Sequence, residues 1–406
     1  MEIRPILSTL RRHKTAAALI VVEIALSCAI ICNALFLIGN RLDRMDRPSG
    51  LAEDQVVRVQ LTGIGRDDNP QALTDSDLGL LRSIPGVKFA SATNQVPFGN
   101  SSWNSGVKLS QEQKISTLNA TTYLGDEQLL DTLGLNLVEG RRFNPDEFVS
   151  FGKEDAGKVF SAIITRTMAH KLFPDGSALG KTFYTGGEDP IKIVGIVDHL
   201  VRPNEGNRGG PDAYEYSMML PTKVPYSVGG EYLLRTEPGR RAEVLKAAIA
   251  TLERNNPNRI ILKQDTLEEL RAKYYRQDRS MAWLLVGVCI ALLVVTALGI
   301  VGLASFWVQQ RTKQIGIRRA LGSTRGQILR YFQTENFLLA TIGIVIGMTL
   351  AYSTNLWLMQ RYELPRLPLI YLPCGAIALW LLGQVAVLGP ARRAAAVPPA
   401  VATRSA

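Results

Sequence analysis

From Arg311 to Tyr352 the chain reads RTKQIGIRRALGSTRGQILRYFQTENFLLATIGIVIGMTLAY. Six basic residues (Arg311, Lys313, Arg318, Arg319, Arg325, Arg330) precede the first acid, Glu335, and an apolar run follows. Arg311 to Leu321 has the spacing of a short amphipathic helix. Gly322 is placed to close it, because a residue without a Cβ enters the left-handed region freely. Thr324 and Gln327 stand three apart, as a capping box requires, and start the helix that enters the apolar run. A short basic helix between two membrane-length runs lies along one membrane face and offers Arg318, Arg319 and the Ile315/Ile317 pair to lipid or to a partner. Composition alone makes it a basic loop on anionic headgroups.

Working outward, four apolar runs match a hydrocarbon core of about 30 Å, which needs about 20 helical residues. They cover residues 16–38, 283–308, 332–352 and 369–389. The first follows Arg11, Arg12 and Lys14, as a signal peptide would. It is too long for a signal core, and Asn40-Arg41-Leu42 offers no small-residue cleavage site, so it reads as an uncleaved span. Mean hydropathy is +0.06 and 46% of the 406 residues are apolar, which excludes a disordered chain. With 35 Gly, 20 Pro and 4 Cys, collagen-like and disulfide-scaffold classes are excluded too.

The net charge of +10 raises the question of nucleic acid. Its location answers it. Residues 39–282 carry 31 basic and 32 acidic residues, so the whole excess sits in short stretches beside the apolar runs. That is a topology signal rather than a basic face on a folded domain, and no nucleic-acid partner is expected. Positive-inside logic places Arg4, Arg11, Arg12 and Lys14, the Arg311–Arg330 loop, and Arg392, Arg393 and Arg404 in the cytoplasm. Both termini are then inside, the loop holding Arg361, Glu363 and Arg366 is outside, and so is the long block between the first two spans.

The block reads as a mixed α+β domain. Val56–Leu61, Lys114–Tyr123, Phe160–Ile164, Ile191–Val197 and Tyr232–Arg235 have strand patterns. Helices are expected from an N-cap at Thr74, at Asp126–Leu133 before Gly134, at Arg166–Phe173 and at Arg240–Arg254. Arg202–Tyr214 reads as a Gly/Asn/Pro-rich loop. From Thr266 the pattern stays helical to Val308, so one helix is expected to rise from the domain and become the second span. The expected organisation is therefore a cytoplasmic N-terminus (1–15), span one (16–38), the domain (39–265), a stalk continuing into span two (266–308), a cytoplasmic helix and loop (309–331), span three (332–352), a short outer loop (353–368), span four (369–389) and a cytoplasmic tail (390–406).

Catalytic signatures fail. Gly176-Ser-Ala-Leu-Gly180-Lys181-Thr182 has three residues between its glycines where a phosphate loop needs four, and reads as a turn before a strand. His13, His170 and His199 are scattered, and Cys28 and Cys32 on one helix face lack further ligands. Neither a metal nor a resident cofactor is expected. Within the spans, Glu23 reads as a polar contact to another helix or a snorkelling group, and Glu335 as a partner of Arg330 or Arg311. Gly343 and Gly347, four apart, suit close helix packing, within the chain or in a dimer.

The Arg311–Gly322 segment resembles the R-T-x-E-I-G-x-x-x-A-x-G signature of the MacB/FtsX-like permeases, the membrane subunits of mechanotransmitting ABC transporters. Arg311, Thr312, Ile315, Gly316, Arg318, Arg319, Ala320, Leu321 and Gly322 carry the likeness, with Gln314 where many members have Glu. Glu335 matches a glutamate common at the start of the third span. Leu133–Phe143 resembles a G-x-x-L-x-x-G-R-x-F stretch of the family's MacB-like periplasmic core domain, Ile163–Lys181 resembles its A-x-x-L-F…P-L-G-K stretch, and Pro390–Ala394 with Pro399-Ala400 resembles its tail. The resemblance implies four transmembrane helices with a large extracytoplasmic α+β domain between the first two, in the cell inner membrane. It implies a permease rather than an enzyme, since no nucleotide-binding motif occurs in the sequence. Arg311–Gly322 would be the coupling helix for a cytoplasmic ATP-binding subunit, which would hold the ATP and Mg. A second permease copy or paired permease, a periplasmic adaptor and membrane lipid are the other implied partners. Efflux or extraction of a peptide, lipid-linked or drug-like substrate is the expected function. The alternatives are an FtsX-like transmitter that activates an extracytoplasmic enzyme, and a tethered receptor or scaffold without energy coupling.

Overall fold

The computed structural model describes residues 14–65, 68–99, 101–152, 159–187, 189–204, 210–362 and 366–398. Outside them fall Arg4, Arg11, Arg12, His13, Glu363, Arg404, the Pro399-Ala400 match and residues 205–209 of the Gly/Asn/Pro-rich loop. Two compact units divide the chain, Met1–Asp46 with Gln277–Ala406, and Arg47–Arg276.

Helix α1 (Lys14–Met45) buries Ile20, Ile24, Cys28, Ile31 and Cys32, steps of three and four that lay one stripe along a 3.6-residue helix. Leu19, Val22 and Leu26 stay exposed on its other side. A long helix that is apolar all round suits hydrocarbon.

The second unit is a mixed α+β domain. In chain order it contains β1 (Val56–Gly63), α2 (Pro70–Arg82), β2 (Phe89–Thr93), β3 (Asn104–Lys108), β4 (Leu118–Gly125), α3 (Leu129–Leu133), β5 (Leu137–Gly140), β6 (Val149–Ser150) and β7 (Ser161–Thr165). Then come α4 (Arg166–Leu172), β8 (Thr182–Thr185), β9 (Ile191–Val197), β10 (Ser217–Lys223), β11 (Glu231–Arg235), α5 (Arg241–Asn255), β12 (Arg259–Thr266) and α6 (Leu267–Tyr274). Strand order runs β12-β1-β11-β2-β4-β3-β8-β9-β7-β10-β6, with β5 on β9 and a further β4–β10 pairing.

That extra pairing closes β4, β3, β8, β9, β7 and β10 into a ring around Val107, Phe183, Ile193 and Met218. The four remaining strands at the other end, β12-β1-β11-β2, are antiparallel. Their core joins Val57, Val59 and Tyr232 to Leu81 of α2 and Val244 and Leu252 of α5.

Local chemistry explains several boundaries and corrects others. Helix α2 begins four residues before the expected cap. Asn69 caps it by accepting from Ala72 N, and Pro70 fills the first turn, where its missing N–H costs nothing. Thr74 instead donates to Pro70 O and accepts from Tyr226 N, tying the helix to the loop after β10. Helix α3 starts at Leu129, not Asp126, because Asp126 is spent on Arg82 and on the N–H of Gln128. β4 begins at Leu118, later than Lys114. Gly180 (φ +80°) and Lys181 make the turn that leads into β8, as expected for the phosphate-loop look-alike.

The single helix expected over 266–308 is two helices. Thr266 and Glu269 form a capping box that starts α6, and α6 ends at Tyr274 with Tyr275 as its C-cap. There the side chain is buried, 6.0 Å from the ring of Phe98 and 4.9 Å from Tyr274. Helix α7 (Arg276–Gln310) then begins anew, and the compact domain runs through the stalk to Arg276 rather than ending at 265.

Three more helices complete the first unit: α8 (Thr312–Ala320), α9 (Arg325–Tyr362) and α10 (Tyr371–Ala396, with Pro390 inside). Among the described residues four helices, α1, α7, α9 and α10, are long and apolar enough to cross a membrane. Gly343 of α9 closes on Val21 and Ile24 of α1, and Gly347 on Ala25 and Cys28, so this small-residue pair seats a helix of the same chain. Cys28 and Cys32 are buried, free thiols in that packing.

Candidate functional site

The Arg311–Gly322 segment is built as its sequence dictates. Helix α8 ends at Ala320, and Gly322 (φ +96°) turns the chain, with Ser323 N bonded back to Arg318 O. Thr324 N donates to Gln327 Oε1 while Gln327 N donates to Thr324 Oγ1, a complete capping box for α9.

The residues on α8 divide by face. Arg311, at its start, is buried and donates through Nη1 to both oxygens of Glu335, at 3.1 and 2.9 Å, while its guanidinium lies 5.5 Å from the Trp307 ring. Of the two arginines considered for Glu335, the fold selects Arg311. Ile315 and Gly316 are buried with it. Arg319 is turned inward as well: its Nη1 donates to Ala395 O at 2.8 Å and Val397 O at 3.1 Å at the end of α10. Nothing in the sequence signals that bond, since it joins segments 76 residues apart.

Ile317, Arg318, Ala320, Leu321 and Gly322 form the outward face, with Leu321 82% exposed. The Ile315/Ile317 pair is therefore split, one side chain in the core and one outside. Arg318 stacks 5.1 Å from the Tyr331 ring and edges a cavity of about 140 Å³ shared with Gln314, Ser323, Gln327 and Tyr331. An apolar knob, a stacked cation and a recess on one rigid short helix suit a protein surface better than headgroups, which reward charge alone.

Elsewhere in this unit, the Glu23 carboxylate lies against Gly299 of α7, in the space a side chain at 299 would fill. Ser27 and Thr296 share a hydrogen bond of 2.8 Å between the same two helices. In the inserted domain His199 Nδ1 meets Glu215 Oε1 at 2.5 Å, and His170 is elsewhere. Among the described residues no group of three or more His, Cys, Asp or Glu could hold a metal.

Four membrane-length helices, a mixed domain inserted after the first, and a basic amphipathic helix between the second and third define a membrane permease of ABC type. The FtsX-like permease C-terminal family matches residues 286–399, and the MacB-like periplasmic core domain family matches residues 17–252. The chain belongs to the MacB/FtsX family of ABC transporter permeases. It is 23% identical to the uncharacterized ABC transporter permease YknZ of Bacillus subtilis (strain 168), over 99% of this chain and 98% of that one. It is 25% identical to the macrolide export ATP-binding/permease protein MacB of Shewanella oneidensis, over 83% of this chain and 50% of that one. The chain thus spans about half of that MacB and nearly all of YknZ. The crystallised extracellular domain of a YknZ superposes loosely, with a TM-score of 0.31 at 20% identity, over 51% of this chain and all of that one.

Proposed function

We propose that this chain is the permease half of a transporter whose ATP-hydrolysing subunit is a separate polypeptide docking on the outward face of α8. The observation that carries the reading is the division of that helix. Arg311, Ile315 and Arg319 fasten it to α9 and α10, and Ile317, Arg318 and Leu321 are left for a partner. A helix so fastened passes a push at its outer face to the spanning helices, because packed interiors transmit displacement instead of absorbing it. The arginine-rich flanks support a cytoplasmic α8 and cytoplasmic termini, with the inserted domain outside, in an inner-membrane protein.

ATP and Mg belong to the partner on this reading, and two permease copies or a permease pair make the working unit. Rearrangement of the outer domains then extracts or expels a peptide, lipid-linked or drug-like substrate. The export role named for MacB, and its fusion of ATP-binding and permease functions in one chain, agree with this assignment.

Arg318→Glu with Leu321→Asp tests it, because both side chains are exposed and neither closes the fold. Co-purification of the ATP-binding subunit should fall at least tenfold, about 1.4 kcal/mol or more, at unchanged membrane insertion. Unchanged association overturns the docking assignment. A parallel Arg319→Gln variant should instead loosen the chain itself, lowering its melting temperature in detergent.

A further inference from the structure

A cavity of about 700 Å³ opens in the inserted domain between β1, the loop at 98–99, β12 and α6. Its volume lies in the range of small-molecule sites, roughly 300–1,000 Å³. Arg58, Phe98, Leu262, Lys263, Lys273 and Tyr274 are its informative walls.

Two departures from regular backbone meet here. Phe98 is buried with φ +61°, and it has the one positive φ among the described non-glycine residues. A bulky aromatic side chain rarely occupies that region, and such outliers collect at ligand sites. On the opposite wall the β1–β12 ladder slips. Gln60 faces Lys263 and Leu61 faces Ile261, so Leu262 is the extra residue of a β-bulge and stands 52% exposed. Bulges re-aim side chains and favour the neighbourhood of sites. Neither Phe98 nor Leu262 belongs to the core cluster of this sheet, which runs through Val57, Val59 and Tyr232.

Charge then limits what fits. Arg58 is bound to Glu231 at 2.5 and 2.6 Å, and Lys273 to Asp265. Lys263, exposed on β12 and near Glu231, is a third cation against these two carboxylates, which leaves one positive charge in excess at the lining. Phe98, Leu262, Leu270 and Tyr274 supply the apolar and aromatic surface.

We infer that this cavity binds an amphiphile with an apolar or aromatic body and an acidic headgroup, the body against Phe98 and Leu262 and the acid at Lys263. The inference deepens the transporter reading by giving the outer domain a substrate class. Its test needs no ATPase, so it stands or falls separately from docking at α8.

The full chain, with its four cysteines replaced, carries Leu262→Cys in phosphatidylcholine nanodiscs, and labelling by an impermeant maleimide is timed. Anilinonaphthalene sulfonate is the probe, and phenyl-naphthylamine, with the same rings and no sulfonate, is its neutral counterpart. At about four times its dissociation constant the sulfonate should slow labelling about fivefold, as ~80% occupancy requires. The neutral counterpart should protect far less, and a cysteine in place of Ile115, an exposed residue of another loop, should be unaffected. Lys263→Gln should abolish the preference for the sulfonate, and Phe98→Ala should weaken both probes. Replacing phosphatidylcholine by phosphatidylglycerol with no probe added separates sources: slowed labelling identifies a membrane lipid, unchanged labelling a soluble amphiphile. Equal protection by both probes, protection at position 115, or no protection by sulfonate or lipid overturns the inference.

Discussion

Asp77 with Arg259 in the inserted domain, and Arg311 with Glu335 in the membrane unit, are ion pairs almost wholly withdrawn from water. Asp77 accepts from both terminal nitrogens of Arg259, from Tyr232 Oη at 2.6 Å and from Asn255 Nδ2 at 2.7 Å. One carboxylate thus pins α2, α5, β11 and β12 together. Glu335 receives one nitrogen of Arg311, and the buried Nη2 of that arginine has no partner among the described residues. The buried Nε of Arg259 also lacks a partner among the described residues, so the contrast lies in the carboxylates. Asp77, with four donors, is held in one arrangement because every exchange loses several bonds at once, and Glu335, with one donor nitrogen, gives up less when its partner shifts. The first belongs in a rigid frame, and on the docking reading proposed above the second lies at a joint between α8 and α9.

The largest effect should come from removing the saturated Asp77 carboxylate. Asp77→Ala leaves a buried guanidinium, a phenol and an amide without their acceptor, and should cost about 3–5 kcal/mol. Thermal unfolding should show it, and Asp77→Leu with Arg259→Met should recover most of the loss. A loss below about 1 kcal/mol would erase the contrast between the two pairs.

Next in size, Glu335→Gln should cost about 1–3 kcal/mol in detergent unfolding. On the docking reading it should reduce stimulation of the partner ATPase more than that loss of stability accounts for. Stimulation that falls only in step with stability would make the pair a structural lock like the first.

Filling the seat of α1 follows. Gly347→Ile drives a branched side chain into Ala25 and Cys28, and overpacking of that kind costs about 1–3 kcal/mol. Gly302→Ala on α7, where nothing lies within 4 Å, should be neutral or stabilising by up to about 1 kcal/mol. Equal losses in the two variants would deny that α9 and α7 differ in packing.

The smallest effect is a pH dependence in the frame. Burial pushes the Asp126 carboxyl above its ordinary value near 3.8, against the opposing Arg82 and the N–H of Gln128. The folded domain therefore holds this proton in a window just above that value where the unfolded chain has released it. Stability falls as pH rises through the window. Asp126→Asn should flatten that part of the unfolding profile, and an unchanged slope would place the proton elsewhere.

Sequence periodicity made the membrane unit legible: helix identity there depends on long apolar runs and on local caps such as Gly322 and Thr324. The inserted domain was less so. β9 matches its expected bounds, and β1, α4 and α5 do so within two residues. β2, β3 and β10 went unrecognised, because strands such as Asn104–Lys108 and Ser217–Lys223 show no clean alternation and are held by partners far along the chain. The interruption at Tyr275 has no local breaker, and it accompanies an aromatic cluster that only folding assembles.

What the sequence determined by itself was the number of spanning helices, the asymmetry of charge, the inserted mixed domain and the position of the basic helix, since each is set within a window of about 20 residues by period, charge and capping. Tertiary structure decided which face of that helix is free, that Arg319 binds the end of α10, that Gly343 and Gly347 seat α1, and that Phe98 and Leu262 line one cavity. Those facts join residues tens to hundreds of positions apart. No local preference encodes such meetings, and only the closed packing of the whole chain selects them.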